Sequence, residues 1–546
     1  MGSPRWARDL YASPPTPLLL ILGPIVLLHV VVEQFRRWWR GAPKYLPPCA
    51  DELLKQPATA LASKIRRGEL TSRELTDRCI ARLEQIEPQL NALVGERFAE
   101  ARADADAADA AVRAGTVPAS APLWGVPVVV KECFEVRGQP FTAGVVYRRG
   151  RIGVENSPPV ARLQAAGCVL VGVTNTSEAC MFHESANPVF GRSCNPHDLG
   201  RTPGGSSGGA AAVVGACGAP LAVTSDVGGS TRIPAFYCGL FGHKPTGGTI
   251  PNTRTLPRLS LADAISRYCQ LGPTTRHAAD LYPLLQVIAG PDGIDTSVRP
   301  DASERLLRRG PADVDVKSLT VYSFEEPFMP WPLRCGLHPD VRDAHRATAA
   351  ALRRIGCRVV PIGRAELPET AMAFSIWAAL MSSSGQEPFI ETLSDGRSAP
   401  LTNLGALWEL ACCLPTGASA RHTAPGAGLA LVEQIEKLSP LGGYMKAKGA
   451  RLRRRLDGLL GDGSAVLLVP PPLTPAPRHH ENLARFTNSA QTSLFNVMEL
   501  PATAVPTGLS ADGLPVGVQV VGGFGHDEVT IAVAIALEAA GAARAA

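Results

Sequence analysis

At 546 residues, 45% hydrophobic and 19% charged, the chain can build one large α/β unit or two to three smaller domains, and disorder is excluded for the bulk of it. The net charge of +5 carries no nucleic-acid footprint: six basic residues (Arg5, Arg8, Arg36, Arg37, Arg40, Lys44) against two acidic ones (Asp9, Glu33) put most of it in the first 45 positions. Thirteen cysteines, odd in number and without a CxxC pair, argue for a reducing compartment and against a disulfide framework or a metal site.

The first predicted element is PLLLILGPIVLLHVVV, residues 17–32, broken only by Gly23, Pro24 and His29. As a helix it rises about 24 Å, slightly short of a ~30 Å hydrocarbon core. Trp38 and Trp39 suit the headgroup region, and the flanking arginines favour a cytoplasmic position for the downstream chain. RRWWR is a poor cleavage site, which favours an uncleaved anchor over a signal peptide. Gly23-Pro24 leaves a kinked, monotopic insertion open. Residues 1–45 are therefore expected to be a membrane anchor with its basic, aromatic flank, and 46–546 one catalytic domain.

After the proline-rich APKYLPP, helices are predicted from Thr71, whose spacing to Glu74 suggests a capping box, and across the alanine-rich 98–113. Short β-branched runs come next: VPVVV before Lys131, VLVGV before Thr174, PLAVT before Ser225, then LTVYSF, RVVPI, AVLLVPP, ATAVP and VGVQVV. Strands alternating with helices predict an α/β fold, a large mixed central β-sheet covered by helices on both faces. The segment 290–315 reads as an internal surface connection and need not be a domain boundary, because strands before and after it could share one sheet. KAKGARLRRRLDGLL, residues 446–460, reads as a basic helix with either a solvated or a lipid-facing side.

Three segments bear on chemistry. TPGGSSGGAA, residues 202–211, is not a phosphate loop, because Ala210 stands where a lysine is needed, and the small-residue stretch after it is too apolar for a slack linker. In Asp226-Val-Gly-Gly-Ser230, two glycines precede a serine at a strand end, where backbone N–H groups can converge as an oxyanion hole; a tight turn is the plain alternative. Lys131 ends an apolar strand. A lysine serving as base must be neutral, and moving its pKa from ~10.4 to near 7 costs about 4.6 kcal/mol, which burial and hydroxyl hydrogen bonds can supply. None of His183, His197, His243, His479 and His480 stands in a context that marks it as the partner of a nucleophilic serine.

Lys131, PGGSSGG and DVGGS, in that order, resemble the amidase signature family of serine hydrolases, and the likeness extends through GVTNTSE, TSDVGGSTRIPAFYCGLFGHKPT and PATAVPTGLSADGLPVGVQVVGG. The resemblance implies a single large domain and a Ser-Ser-Lys triad: Ser230 as acylated nucleophile, Lys131 as base, and Ser206, joined to Gly205 by a cis peptide, as proton relay. It further implies that Ser207 supports the network and that the N–H groups of Val227, Gly228, Gly229 and Ser230 form the oxyanion hole. Asp226 and Arg232 are expected to hold the loop in shape, and the Cys180 backbone to lie near substrate.

The anchor, the AFYCGLFGHKPT wording, LWEL near 408 and APRHHE near 479 look most like the branch acting on fatty-acid amides. The implied partners are a lipid amide substrate and membrane lipid, with no nucleic acid and no cofactor; relatives form homodimers. The expected location is a membrane, endoplasmic reticulum or lipid droplet, with the catalytic domain cytoplasmic. An amidase for small aryl or polar amides is the alternative, and a catalytically silent membrane scaffold the reading from a different class.

Overall fold

The computed structural model describes residues 44–546 except 262, 331–334, 383–386, 396–420 and 439. The expected anchor at 17–32 and the apolar run at 404–415 lie outside the described residues. Among the described residues no helix is long and apolar enough to cross a membrane.

The described strands are β1 (Leu93–Glu96), β2 (Pro127–Lys131), β3 (Val169–Thr174), β4 (Ala186–Asn187), β5 (Gly191–Arg192), β6 (Leu221–Asp226), β7 (Phe241–Lys244) and β8 (Gln270–Thr275). They continue with β9 (Thr320–Phe324), β10 (Arg358–Ile362), β11 (Ala465–Val469), β12 (Ala502–Leu509) and β13 (Pro515–Val521). Eleven of them form one sheet in the order β1-β3-β2-β6-β8-β7-β12-β13-β11-β9-β10, and β4 and β5 pair separately. β3, β2 and β6 run parallel, as do β11, β9 and β10, and the other pairings are antiparallel.

All eight apolar runs read from the sequence are strands of this sheet. β1, β7 and β8 escape that reading: LVGE and FGHK are four residues long with a charged residue at the end, and Gly272-Pro273 inside β8 reads locally as a turn. Consecutive residues of β2 enter different cores: Val128 and Val130 join one cluster and Val129 another, so both faces are covered and the strand reads as a continuous apolar run. β8 and β9 belong to one sheet, so the segment between them is no domain boundary; it carries the helix Ala302–Arg308, with Leu306 buried.

The helix Ser72–Leu90 begins where Thr71 Oγ1 accepts the Glu74 N–H at 3.0 Å, and it buries Leu75, Cys79, Ile80, Leu83 and Ile86. The basic helix Gly442–Leu460 buries Leu452, Leu456 and Leu460. Its Arg453 donates to the Met498 carbonyl at 2.6 Å and pairs with Asp457, and Arg455 pairs with Glu369, so part of its charge is held by the protein itself.

Candidate active site

Because β3, β2 and β6 are parallel neighbours, their carboxyl ends open on one side of the sheet, where ligand sites of such sheets form. Lys131 closes β2 opposite Thr174 of β3, and Asp226 closes β6. The Lys131 amine is fully buried and donates to Ser206 Oγ at 2.6 Å and to Ser225 Oγ at 2.8 Å. Two hydroxyl partners meet the requirement that a buried polar group be hydrogen-bonded.

The glycine run brings Ser206 to that amine. Gly205 lies against the 182–184 backbone so closely that a Cβ would sit 2.4 Å from the Phe182 carbonyl oxygen, which bars any side chain here. The Gly205–Ser206 peptide is cis. Ser185 Oγ donates to the Ser206 carbonyl at 2.9 Å and accepts the Gly208 N–H at 2.7 Å, which fixes the turn before the helix Gly208–Gly215 begins. Ser207 donates through N–H to the Ser230 carbonyl at 3.3 Å and through Oγ to the Ser225 carbonyl at 3.2 Å. The loop ending in Ser230 is thereby tied to the run carrying Ser206.

That loop is built around Asp226. Arg232 grips its carboxylate through Nε and Nη2, both at 2.9 Å, with both side chains fully buried. Burial works against the Asp226 carboxylate, but the Arg232 charge outweighs it and holds the group well below the usual carboxylate range. Arg232 also donates to Asn496 at 2.7 Å and Gln519 at 2.5 Å, residues from the far end of the chain. Gly229 has φ +117°, and a Cβ there would lie 2.2 Å from Thr492 Oγ1, so only glycine fits.

One expected oxyanion donor is otherwise engaged. The Gly229 N–H donates to Asp226 Oδ1 at 2.7 Å, because the carboxylate that shapes the loop needs a donor at that point. The N–H groups of Val227, Gly228 and Ser230 have no protein acceptor among the described residues. Asn496 Nδ2 donates to the Asp226 carbonyl at 2.8 Å and Trp377 Nε1 to the Val227 carbonyl at 3.0 Å. In a planar trans amide the N–H points opposite to the C=O, so these two bonds turn the Val227 and Gly228 N–H groups away from Asn496 and Trp377.

Beside this loop lies a cleft of about 810 Å³, including its open mouth, lined among others by Cys180, Met181, Val227, Leu256 and Trp377. Cys180 ends the short turn Glu178–Cys180 with φ +62°. Glu387 and Glu433 also reach the cleft.

Sequence reasoning missed Ser225, Trp377, Ser185, Thr492 and Asn496. Ser225 had a signal, since it directly precedes Asp226 in a strand whose end was singled out; the others are brought in only by chain reversal. The histidines have structural partners: His243 bonds Thr503 and Asp527, His479 bonds Glu184, and His197 meets the Cys238 carbonyl. Among the described residues no group of His, Cys, Asp and Glu side chains is arranged to hold a metal ion, and no disulfide joins the described cysteines.

The family model "Amidase" matches residues 74–531. The chain belongs to the amidase signature family. It is an amide-hydrolysing enzyme built as a single α/β amidase-signature domain with a large mixed sheet flanked by helices. It is 36% identical over 513 residues to fatty-acid amide hydrolase 2-B of Danio rerio, covering 91% of this chain and 92% of that protein. It is also 36% identical over 516 residues to fatty-acid amide hydrolase 2 of Homo sapiens, covering 91% and 92%. Among solved structures, 6-aminohexanoate cyclic dimer hydrolase superposes with a TM-score of 0.68 at 26% identity, covering 89% of this chain and 97% of that one.

Proposed function

We propose that the enzyme hydrolyses fatty-acid amides, acylethanolamides and primary fatty amides, to fatty acid and amine through an acyl-enzyme on Ser230. The observation that carries this reading is the Lys131 amine, fully buried, 2.6 Å from Ser206 Oγ and 2.8 Å from Ser225 Oγ, with Ser225 itself lining the cleft beside Met181, Leu256 and Trp377. Neutral Lys131 takes the Ser206 proton as Ser206 takes that of Ser230, whose Oγ attacks the amide carbon. The N–H groups of Val227, Gly228 and Ser230 receive the oxyanion, and each such donor is worth about 3 kcal/mol in the transition state. The relay then runs backward, delivering the proton to the departing nitrogen, because an unprotonated amine anion is a very poor leaving group. Water repeats the sequence on the acyl-enzyme.

The same reading makes residues 17–32 a membrane anchor and membrane lipid the medium from which the substrate enters. It locates the catalytic domain on the cytoplasmic side of the endoplasmic reticulum or on a lipid droplet. The curated relatives, named as fatty-acid amide hydrolases, support the substrate class. Glu387 and Glu433 in the cleft wall favour the second reading, small aryl or polar amides.

The two are separated by assaying purified wild type, Ser230→Ala and Lys131→Ala on primary amides from acetyl to eicosanoyl. The proposal expects kcat/KM to climb with chain length and both variants to be inactive. A flat or falling series selects the small-amide reading, and full activity in either variant sinks the triad.

A further inference from the structure

Two stretches that the chemistry above does not use, the connection 290–315 and the basic helix Gly442–Leu460, meet at a second cavity. It has a volume of about 360 Å³ and shares no lining residue with the catalytic cleft. Its walls include Arg267, Arg299, Arg453, Glu499 and Phe524, with the exposed Thr296 at its edge. We propose that this cavity is a binding site for the terminal phosphate of a phosphomonoester, gripped by the three guanidinium groups.

The arginines are fixed by contacts that spare their terminal nitrogens. Arg267 Nε donates to Glu499 Oε2 at 3.1 Å and Arg453 Nε to Asp457 Oδ1 at 2.8 Å, while Arg453 Nη1 donates to the Met498 carbonyl at 2.6 Å. Arg299 has no carboxylate partner among the described residues; its Nε reaches the Gly247 carbonyl at 3.4 Å. Both Nη groups of Arg267, both of Arg299 and Nη2 of Arg453 have no protein acceptor among the described residues. Phe524 sets two of the charges on one ring, with the Arg299 guanidinium 4.3 Å and that of Arg453 5.0 Å from its centroid. The attraction of an aromatic face for a cation offsets part of the repulsion between them. Gly248 brings in the third arginine: a Cβ there would lie 3.3 Å from Arg299 Cγ and 3.6 Å from Arg267 Cδ, so both stems flank one bare point of main chain. A Cβ on Gly247 would lie 2.7 Å from Glu499 Oε2, displacing the carboxylate that holds Arg267.

Arginine forks bind the paired oxygens of carboxylates and phosphates, so the donors left over here call for an oxyanion. A carboxylate offers two oxygens in one plane and a single charge. A phosphomonoester offers three terminal oxygens and nearly two charges, which suits arginines arriving from three separate segments. Esterified a second time, the group loses one of those oxygens and one charge. Two sources carry a phosphomonoester, a soluble ester and a lipid headgroup, and the test separates them.

The full chain in nonionic detergent is titrated calorimetrically with glycerol phosphate, with dihexanoyl phosphatidic acid and with the diester dimethyl phosphate, at matched ionic strength. At least one monoester should bind, and the diester should bind about tenfold more weakly or worse, the scale of one charge-assisted hydrogen bond. Arg299→Gln should weaken the monoester by about the same factor, because it removes the guanidinium with no carboxylate partner. Equal affinity for the two monoesters assigns the soluble source, and a preference for phosphatidic acid the lipid headgroup. A second measurement needs no variant to fold: phenylglyoxal modification of Arg299 in wild type, mapped by peptide mass spectrometry, should slow when the bound monoester is present. The proposal is overturned if neither monoester binds, if dimethyl phosphate binds as tightly, if Arg299→Gln binds as wild type does, or if the monoester leaves Arg299 unprotected. None of these outcomes bears on the amide substrate or on the triad.

Discussion

Two lysines are fully buried at strand ends of the same sheet, Lys131 at the end of β2 and Lys244 at the end of β7. Lys131 donates to two serine hydroxyls, whereas Lys244 Nζ donates at 2.7 Å to the carbonyl of its own neighbour, Pro245. A carbonyl oxygen can accept a hydrogen bond but has no proton to pass on; a hydroxyl both donates and accepts. Burial, followed by the nearby Arg232 charge, lowers Lys244 to about 7, a value that would suit a base, yet it has nothing to serve. What equips a buried lysine for proton transfer is the chemistry of its partner, and burial alone does not supply that.

The sharpest way to break this contrast is to truncate each end in turn. Ser230→Ala should lower kcat by about 10⁵-fold or more and Lys131→Met by about 10⁴-fold, the scale of removing a nucleophile or a general base. Circular dichroism should show both folded. Lys244→Met should leave turnover close to that of wild type, because the Lys244 amine donates only to the Pro245 carbonyl and meets no hydroxyl that could pass on a proton. A loss at Lys244 equal to that at Lys131 would erase the distinction.

Arg232 is expected to matter for structure. Arg232→Met leaves Asp226 buried and unpaired, which costs about 3–5 kcal/mol. Denaturant unfolding should show that loss, and activity should fall with it because the Asp226 loop carries the proposed oxyanion donors.

The next effect is in pH dependence. Lys244 has a folded value of about 7 against ~10.4 unfolded, so between those limits the unfolded chain binds more protons and stability rises with pH. Below about pH 7 both states are protonated and the penalty is full. Comparing unfolding midpoints near pH 6 and pH 9, wild type should gain on Lys244→Met by a few kcal/mol, at about 1.36 per unit. A constant difference would mean that Lys244 keeps its proton throughout.

The smallest expected effects refine the Lys131 side. Ser225→Ala removes one of the two amine partners and should cost roughly tenfold in kcat. Trp377→Phe removes the bond to the Val227 carbonyl, worth about 0.5–1.5 kcal/mol, so kcat/KM should drop between twofold and tenfold. An unchanged kcat in Ser225→Ala would show that Ser206 alone governs the amine.

Much of the molecule was legible in its residues because the signals are local. Eight strands announce themselves as short β-branched runs between Gly and Pro, and Lys131, the glycine run and DVGGS each carry a spacing that only a few chemistries need. β1, β7 and β8 escaped because their stability comes from neighbours across the sheet and not from their own composition.

Sequence by itself determined the family, the sheet-rich α/β class and which residue types could carry acyl transfer, since backbone geometry at glycines and apolar periodicity are written residue by residue. Only tertiary structure decided that the Gly229 N–H serves Asp226, that Ser225 shares the Lys131 amine, and that Trp377 and Asn496 hold the carbonyls of the loop leading to Ser230. The Trp377 and Asn496 bonds join residues 150 and 270 positions apart, and a hydrogen bond is specified by where two groups meet in space, which no local pattern records.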